Sequence, residues 1–320
     1  MIDRSALLSL LVCPACRTPL QSFTHCTHCG ADYSESDGTP VLIPTTASRK
    51  LSFDFPQSRS TNGEQLTGCF SYPPRCGAAG SDKPYHLDLA HLDIFDRLPS
   101  GSSILEIGCG GGQMRSFLES KQFRYLGIDI SKTRVDQHLQ LHGGPDLLCD
   151  CHFLPFNQRT FDIVYSAGVT EHLACPYLVA QEVARVLKPG GYYLGNVSFL
   201  EPWHDDSFFH MSPLGVFELL TQADFEIIHI WPGKGYSGFR AILNMGNKAT
   251  RPLTFLGDFI YFIYNSGNRL RNLVKRRNHN NSQRGILDAA RVAGATDWIA
   301  RRRLDGSCFA PSTQSIPGHA

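Results

Sequence analysis

The sequence predicts an α/β fold built on a largely parallel sheet, with a small metal-stapled module ahead of it. Three observations carry this. Around Glu106, the aliphatic residues Ile104, Leu105 and Ile107 run straight into Gly108, Gly110, Gly111 and Gly112. A buried parallel strand ends in this way when it turns sharply into a helix. Further on, Tyr125, Leu126, Ile128 and Ile130 mark a second apolar strand that carries Asp129 near its end. Close to the start, Cys13 and Cys16, then Cys26 and Cys29, form two CxxC knuckles.

The knuckles come first in the chain. Each lets two thiolates converge from one tight turn, and two of them complete a tetrahedral site. Gly30 directly after the second pair supplies the positive φ that such a turn often needs. A closed four-sulfur shell has no open coordination position, so zinc held there is structural. The module is too short to build its own core, and the metal supplies folding energy. A pair of disulfides is the alternative; eleven cysteines, an odd number, already argue against a fully paired framework. Cys109 and Cys149 read as small buried hydrophobes, and His25 and His28 as solvated turn residues. From Leu10 to the run Pro40, Val41, Leu42 and Ile43, the segment resembles a known zinc-ribbon family. Its members include small activator subunits of RNA and protein methyltransferases and the leading domains of bacterial methyltransferases. The resemblance implies a ribbon over 1–44 and makes a docked protein a candidate partner.

Residues 45–83 shift toward Ser, Thr, Pro and Gly and read as a linker. Helical spacing begins near Pro84, with Leu87, Leu92, Ile94, Phe95 and Leu98, and predicts a cap near the site. From there to 245 the chain resembles the class I S-adenosylmethionine (SAM)-dependent methyltransferases. Glu106, Gly108, Gly110 and Gly112 match that family's E-x-G-x-G-x-G loop, and Asp129 its ribose-binding acid. Asp150, followed by Leu154, Pro155 and Phe156, matches the third-strand motif. Phe161 to Ser166 matches the fourth strand, and Glu171, His172 and Leu173 the turn after it. Arg185 to Gly191 matches the helix end before the fifth strand. The resemblance implies a Rossmann-like, seven-stranded mixed sheet. It places the amino-acid end of SAM on Glu106 and the glycine loop, the ribose hydroxyls on Asp129 and the adenine amine near Asp150. A capping acid in a βα loop is the other reading of Asp150. A nicotinamide domain shares the strand, loop and acid, but not the later motifs. SAM carries a sulfonium and no phosphate, and Gln113 stands where a phosphate-binding loop would place lysine.

Methyl transfer from a sulfonium requires alignment and, for some acceptors, removal of a proton. Ser166, Ala167, Gly168 and Val169 occupy the position where exocyclic-nitrogen methylases carry an Asn or Asp-Pro-Pro-Tyr element, and Cys175–Pro176 reverses the Pro-Cys nucleophile of RNA cytosine methylases. Oxygen, carbon or other nitrogen acceptors remain. Beyond the fifth strand, His204 beside Asp205 is the first candidate general base, His210 the second, and His172 a third that could face the methyl group. Trp203, Phe208 and Phe209 read as pocket lining or core.

A helix is predicted over 214–220, a strand over 225–231, and a short strand over 239–243 that closes the sheet. Residues 246–320 then form a helical, basic extension. Phe255, Phe259, Tyr261, Phe262 and Tyr264 precede Arg269, Arg271, Lys275, Arg276, Arg277 and Arg284, with no acid between Asp258 and Asp288. This pattern suits either an interfacial helix at 253–277 on an anionic membrane or a helix packed on the domain. The end from Cys308 is expected to lack order.

The net charge of +1 creates no global field for polyanions. No apolar stretch is long enough to span a membrane, and the opening segment lacks a signal-peptide cleavage site. These features predict a cytoplasmic enzyme, peripheral at the inner membrane face if the helix binds lipid. Its acceptor is a small molecule, glycan or lipid-linked intermediate, methylated on oxygen or carbon. One rival is an rRNA guanine methyltransferase whose ribbon grips RNA, yet 13–44 holds a single arginine, Arg17, and no lysine. The other rival is a non-enzymatic protein-docking scaffold, which leaves the intact Glu106 and Asp129 without a purpose.

Overall fold

Nine strands form one sheet in the computed structural model, which describes residues 3–53, 68–80, 83–84, 87–132, 142–274 and 281–304. They are β1 (Ser34–Ser36), β2 (Thr39–Leu42), β3 (Ser103–Ile107), β4 (Arg124–Asp129), β5 (Leu147–Cys149), β6 (Phe161–Ala167), β7 (Leu187–Ser198), β8 (Phe225–Pro232) and β9 (Ala295–Arg302). Their spatial order is β1-β2-β5-β4-β3-β6-β7-β9-β8. From β2 through β7 the neighbours run parallel; β1 and β9 are antiparallel to theirs. Ile104, Leu105 and Ile107 of β3 and Ile163, Val164 and Tyr165 of β6 are buried, as expected of central strands covered on both faces.

The expected seven-stranded mixed sheet is present as β3 to β9. The full count is nine because the ribbon hairpin β1–β2 adds itself to the free edge. Val41 pairs with Leu148 and Leu42 with Cys149, and Leu42 is fully buried. The ribbon is therefore continuous with the domain that follows it.

One expected strand is a helix. Residues 239–243 lie within α6 (Gly238–Met245), which Ser237 caps by accepting the Arg240 N–H at 3.2 Å. A short apolar run does not reveal its period, and the serine cap decides the matter here. The strand that completes the sheet is β9, inserted between β7 and β8. It comes from beyond the boundary expected at 245, so the sheet is closed by part of the segment read as an extension. Its polar ends, Thr296 and Asp297 on one side and Arg301 and Arg302 on the other, masked the buried centre at Trp298, Ile299 and Ala300.

The helices start where caps dictate. Asp3 accepts from Ser5 and Ala6 at the head of α1 (Arg4–Leu10), and Asp88 accepts from Ala90 at the head of α2 (Leu89–Phe95). Helix α3 (Gln113–Ser120) starts from Gly112, at φ 79°. Proline opens both α4 (Pro176–Val186) and α5 (Pro213–Gln222), where its missing N–H is no loss. Two helices, α7 (Thr254–Val274) and α8 (Asn281–Ala290), lead into β9. Among the described residues no helix is long and apolar enough to cross a membrane. Lys275, Arg276 and Arg277 and the segment from Cys308 lie outside the described residues.

Candidate active site and zinc centre

At the N-terminus the four knuckle cysteines converge: their sulfurs all lie within 4.8 Å of one another. Cys13 Sγ stands 3.6 Å from Cys29 Sγ, and Cys16 Sγ stands 3.7 Å from Cys26 Sγ. A disulfide needs about 2.05 Å, whereas a tetrahedron of ~2.3 Å zinc–sulfur bonds has edges of about 3.8 Å. The four residues thus fit zinc and are not paired as disulfides. The Tyr33 hydroxyl lies 2.9 Å from Cys13 Sγ, an outer contact of the kind that orients metal ligands.

Backbone and ion-pair contacts lock this centre to the sheet. Val12 N–H donates to Pro155 at 3.0 Å and Asn157 N–H to Leu10 at 2.9 Å. Arg17 reaches the buried Glu182 of α4 at 2.5 Å, and Arg185 holds the same carboxylate at 2.8 Å. Arg17, the one arginine of 13–44, is therefore engaged by its own chain.

The glycine loop follows from β3. Gly108, Gly110 and Gly112 all have positive φ, at 69°, 51° and 79°. A Cβ on Gly108 would stand 2.3 Å from Val169, and one on Gly112 would stand 3.0 Å from the His142 carbonyl. The loop thus needs glycine for conformation and for space. Asp129, at the end of β4, accepts the Gly110 N–H at 2.9 Å and the Ile130 N–H at 2.7 Å. Glu106 is 8 % exposed and accepts a hydrogen bond from the Tyr125 hydroxyl. Burial pushes its carboxyl up to about 8. The guanidinium of Arg115 sits 4.8 Å over the Tyr125 ring and bonds Asp146 at 2.9 Å, so α3, β4 and the loop form one unit. Sequence reasoning missed Tyr125 and Arg115 as parts of the site; their positions, opening β4 and following the glycines, were the available signal. Asp150 caps the 3-10 turn at Cys151–Phe153, accepting the His152 N–H at 2.9 Å and lying 2.6 Å from that ring. These groups fit SAM: a loop that admits no side chain, a carboxylate at its base and an acid at the end of the next strand.

Beside the loop, at Gly168 and Asn196, opens a cavity of about 900 Å³. Val169, packed on Gly108, joins the two. The cavity wall holds Glu171, His172, Ser198, Glu201 and His204; Lys234, Asp297 and α6 face them. Ser198 Oγ is 2.6 Å from Glu171 and 2.7 Å from Glu201. Glu201 is raised from the ordinary carboxylate range, by burial and by the neighbouring Glu171. The His204 Nδ1 lies 2.8 Å from the Pro202 carbonyl, which makes that nitrogen the N–H donor and leaves Nε2 as the acceptor.

Of the three candidate bases, His172 and His204 line the cavity with rings 5.5 Å apart. His210 sits behind, 5.7 Å from His204, with its Nε2 3.0 Å from the Ser207 hydroxyl. Trp203, Phe208 and Phe209 are neither core nor lining; they are exposed. Glu171, Ser198 and Glu201 belong to the cavity wall and were not singled out from sequence, although Glu171 lies in the turn motif after β6.

A parallel sheet with a glycine turn after its first core strand and an acid after its second is shared by methyltransferase and nicotinamide domains, and the comparisons separate the two. Residues 105–195 match the family model described as "Methyltransferase domain". The matched segment runs from the end of β3 through the glycine loop to β7. Among curated proteins it is 35 % identical over 109 residues to 2-methyl-6-phytyl-1,4-hydroquinone methyltransferase of Synechocystis sp., covering 32 % of this chain and 34 % of that one. It is 38 % identical over 118 residues to 24-methylenesterol C-methyltransferase 2 of Arabidopsis thaliana, covering 34 % and 32 %. It is 35 % identical over 117 residues to fatty-acid O-methyltransferase of Mycolicibacterium smegmatis, covering 34 % and 40 %. The matched part spans about a third of the length of these relatives, and 40 % in the last case.

Proposed function

We propose that this chain transfers the methyl group of SAM to an oxygen or carbon of a small, lipid-type acceptor, and that a hydroxyl oxygen is the atom its cavity serves best. The observation that carries this is His204. Its Nδ1–H is fixed on the Pro202 carbonyl, so its Nε2 lone pair is free on the wall of a 900 Å³ cavity beside the glycine loop. SAM supplies a methyl group already activated by its sulfonium. Glu106 and the loop hold the amino-acid end, Asp129 the ribose, and Asp150 the adenine edge. His204 takes the acceptor's proton as its oxygen approaches the methyl group, and Glu201, 3.9 Å from Nε2, stabilises the imidazolium.

The relatives' names support an apolar acceptor: a phytyl hydroquinone, a sterol and a fatty acid. The surface supports delivery from a membrane. Phe255, Phe259, Phe262 and Ile263 lie one and two turns apart on α7 and are 53–65 % exposed. Lys248, Arg251 and Arg269 flank them, and all three are exposed. Helix α6, packed on α7, lends Arg240, Asn244 and Met245 to the cavity. An anionic inner leaflet would seat the aromatic face and hold the arginines at its headgroups. We place the enzyme in the cytoplasm at that leaflet, where the four thiols stay reduced.

The test is transfer from tritium-labelled SAM into host extract, separated into lipid, glycan, RNA and protein. Label in lipid, lost with His204→Ala while SAM binding persists, is the expected result. Label in RNA would overturn the acceptor assignment, and equal loss of turnover and SAM affinity in the variant would overturn the base.

A further inference from the structure

The wall that holds His204 has a second chemical character. A carboxylate oxygen of Glu171 and one ring nitrogen each of His172 and His204 lie within 4.8 Å of one another. Glu171 is 2 % exposed, and its Oε2 is buried without a hydrogen-bond partner. Its other oxygen is held by Ser198, at 2.6 Å from the hydroxyl and 3.4 Å from the backbone N–H. No lysine or arginine pairs with this carboxylate among the described residues. The Nδ1 of His172 is likewise buried without a partner. A buried ionised carboxylate with one bare oxygen is costly unless a cation meets it.

We propose that Glu171, His172 and His204 form a divalent metal site in the acceptor cavity, separate from the ribbon zinc. Two imidazoles and one carboxylate on a single face are the donor set of open, first-row transition-metal sites. The outer contacts agree with this reading. His204 gives its Nδ1–H to the Pro202 carbonyl, the arrangement that fixes a ligating imidazole and aims its Nε2 at the ion. Ser198 holds Glu171 Oε1 in the same manner and leaves Oε2 for the metal. Ser198 also touches Glu201 at 2.7 Å, which ties that carboxylate to the same wall.

Three protein ligands on the cavity wall would leave room for an acceptor to complete the ion's coordination. The substrate class that fits is a hydroxyl acceptor with a second oxygen on the adjacent carbon, which would chelate through both. This inference rests on the hydroxyl reading above and gives His204 a ligand's role when the ion is present. A bound ion would lower the pKa of that hydroxyl. Its proton passes to Glu201, the oxygen forms the bond to the methyl carbon, the sulfur–methyl bond breaks and its electron pair stays on sulfur. No oxidant or reductant takes part.

The test titrates Mn²⁺ into the zinc-loaded full chain, without acceptor, and follows loss of the free-ion electron paramagnetic resonance signal. Wild type should bind one Mn²⁺, and His172→Ala and His204→Ala should each weaken it by at least about tenfold. Zinc content and SAM binding should stay unchanged in both, which shows that they fold. Absence of Mn²⁺ binding in wild type, or equal binding in the variants, would overturn the site. If hydroxyl methylation proceeds in protein that binds no Mn²⁺, the metal falls and the His204 base stands. If Mn²⁺ binds through the cluster but no oxygen acceptor is labelled, the site stands and the acceptor reading falls.

Discussion

Glu106 offers the sharpest quantitative test of the cofactor site. Burial holds its carboxyl up to about 8, so below that pH the cofactor-free protein keeps it protonated. A cationic ligand end bound beside it selects the ionised form, and binding must then release a proton. The ionised fraction is about one half at pH 8 and about one hundredth at pH 6, so SAM affinity should rise about fiftyfold across that interval. The ligand's own ammonium, with a pKa near 8, is about half lost at the upper end, which trims the gain to about twenty-fivefold. Calorimetry in buffers of different ionisation enthalpy would report both the affinity and the proton released. Glu106→Gln should flatten the profile. The reasoning fails if wild type shows no pH dependence between 6 and 8, or if the glutamine variant keeps the same slope. The same shift sets the sign for stability. The unfolded chain ionises this group near 4.5 and the folded chain near 8, so the cofactor-free fold loses stability as pH rises between them. SAM should restore it.

Gly108→Ala places a methyl 2.3 Å from Val169 at a φ of 69°, and should weaken SAM binding at least about tenfold, with ~1–2 kcal/mol of backbone strain; adding Val169→Ala should relieve the clash and leave the strain, as read by calorimetry and thermal melts. Glu182→Ala removes the carboxylate shared by Arg17 and Arg185 and should cost about 3 kcal/mol in urea unfolding. Zinc removal by a chelator should lower the melting temperature of the whole chain, because β2 is part of the same sheet; a melt unchanged in its main transition would show the ribbon to be independent. Phe259→Ser with Phe262→Ser should cut sedimentation with anionic liposomes by at least about tenfold, at roughly 1.5 kcal/mol or more for each ring withdrawn from the interface, while SAM binding in solution stays as it was.

The glycine loop was legible because its geometry is local. One loop between adjacent elements must approach a ligand by its backbone, and only glycine at positions such as 108 and 112 permits this. The knuckle cysteines were legible for the same reason: each pair is set by one turn. The strand β9 was not. Its neighbours β7 and β8 lie far back in the chain, and its polar ends carry no strand period. Nor did sequence tell α6 from a strand, since five residues fit either period and only the Ser237 cap separates them.

The cavity wall is the least local part of the molecule, which explains why its histidines could be named but not arranged. Glu171 and His172 come from the turn after β6, Ser198 from the end of β7, and Glu201 and His204 from the loop beyond it. Their meeting depends on the order of the strands: β6 lies beside β7, so the turns after both open on one rim. On the opposite side of that rim, Asp297 comes from β9, and Arg240 from the helix α6 that leads toward α7 and its exposed aromatic face. Under the proposed function the cofactor is held by the part of the sheet read most easily, and the acceptor by the part assembled last from distant segments. Acceptor choice can change with residues of the β7 loop, α6 and β9 while the glycine loop, Glu106 and Asp129 stay as they are. Exchanging the 199–212 loop should alter which acceptor is labelled and leave SAM affinity unmoved.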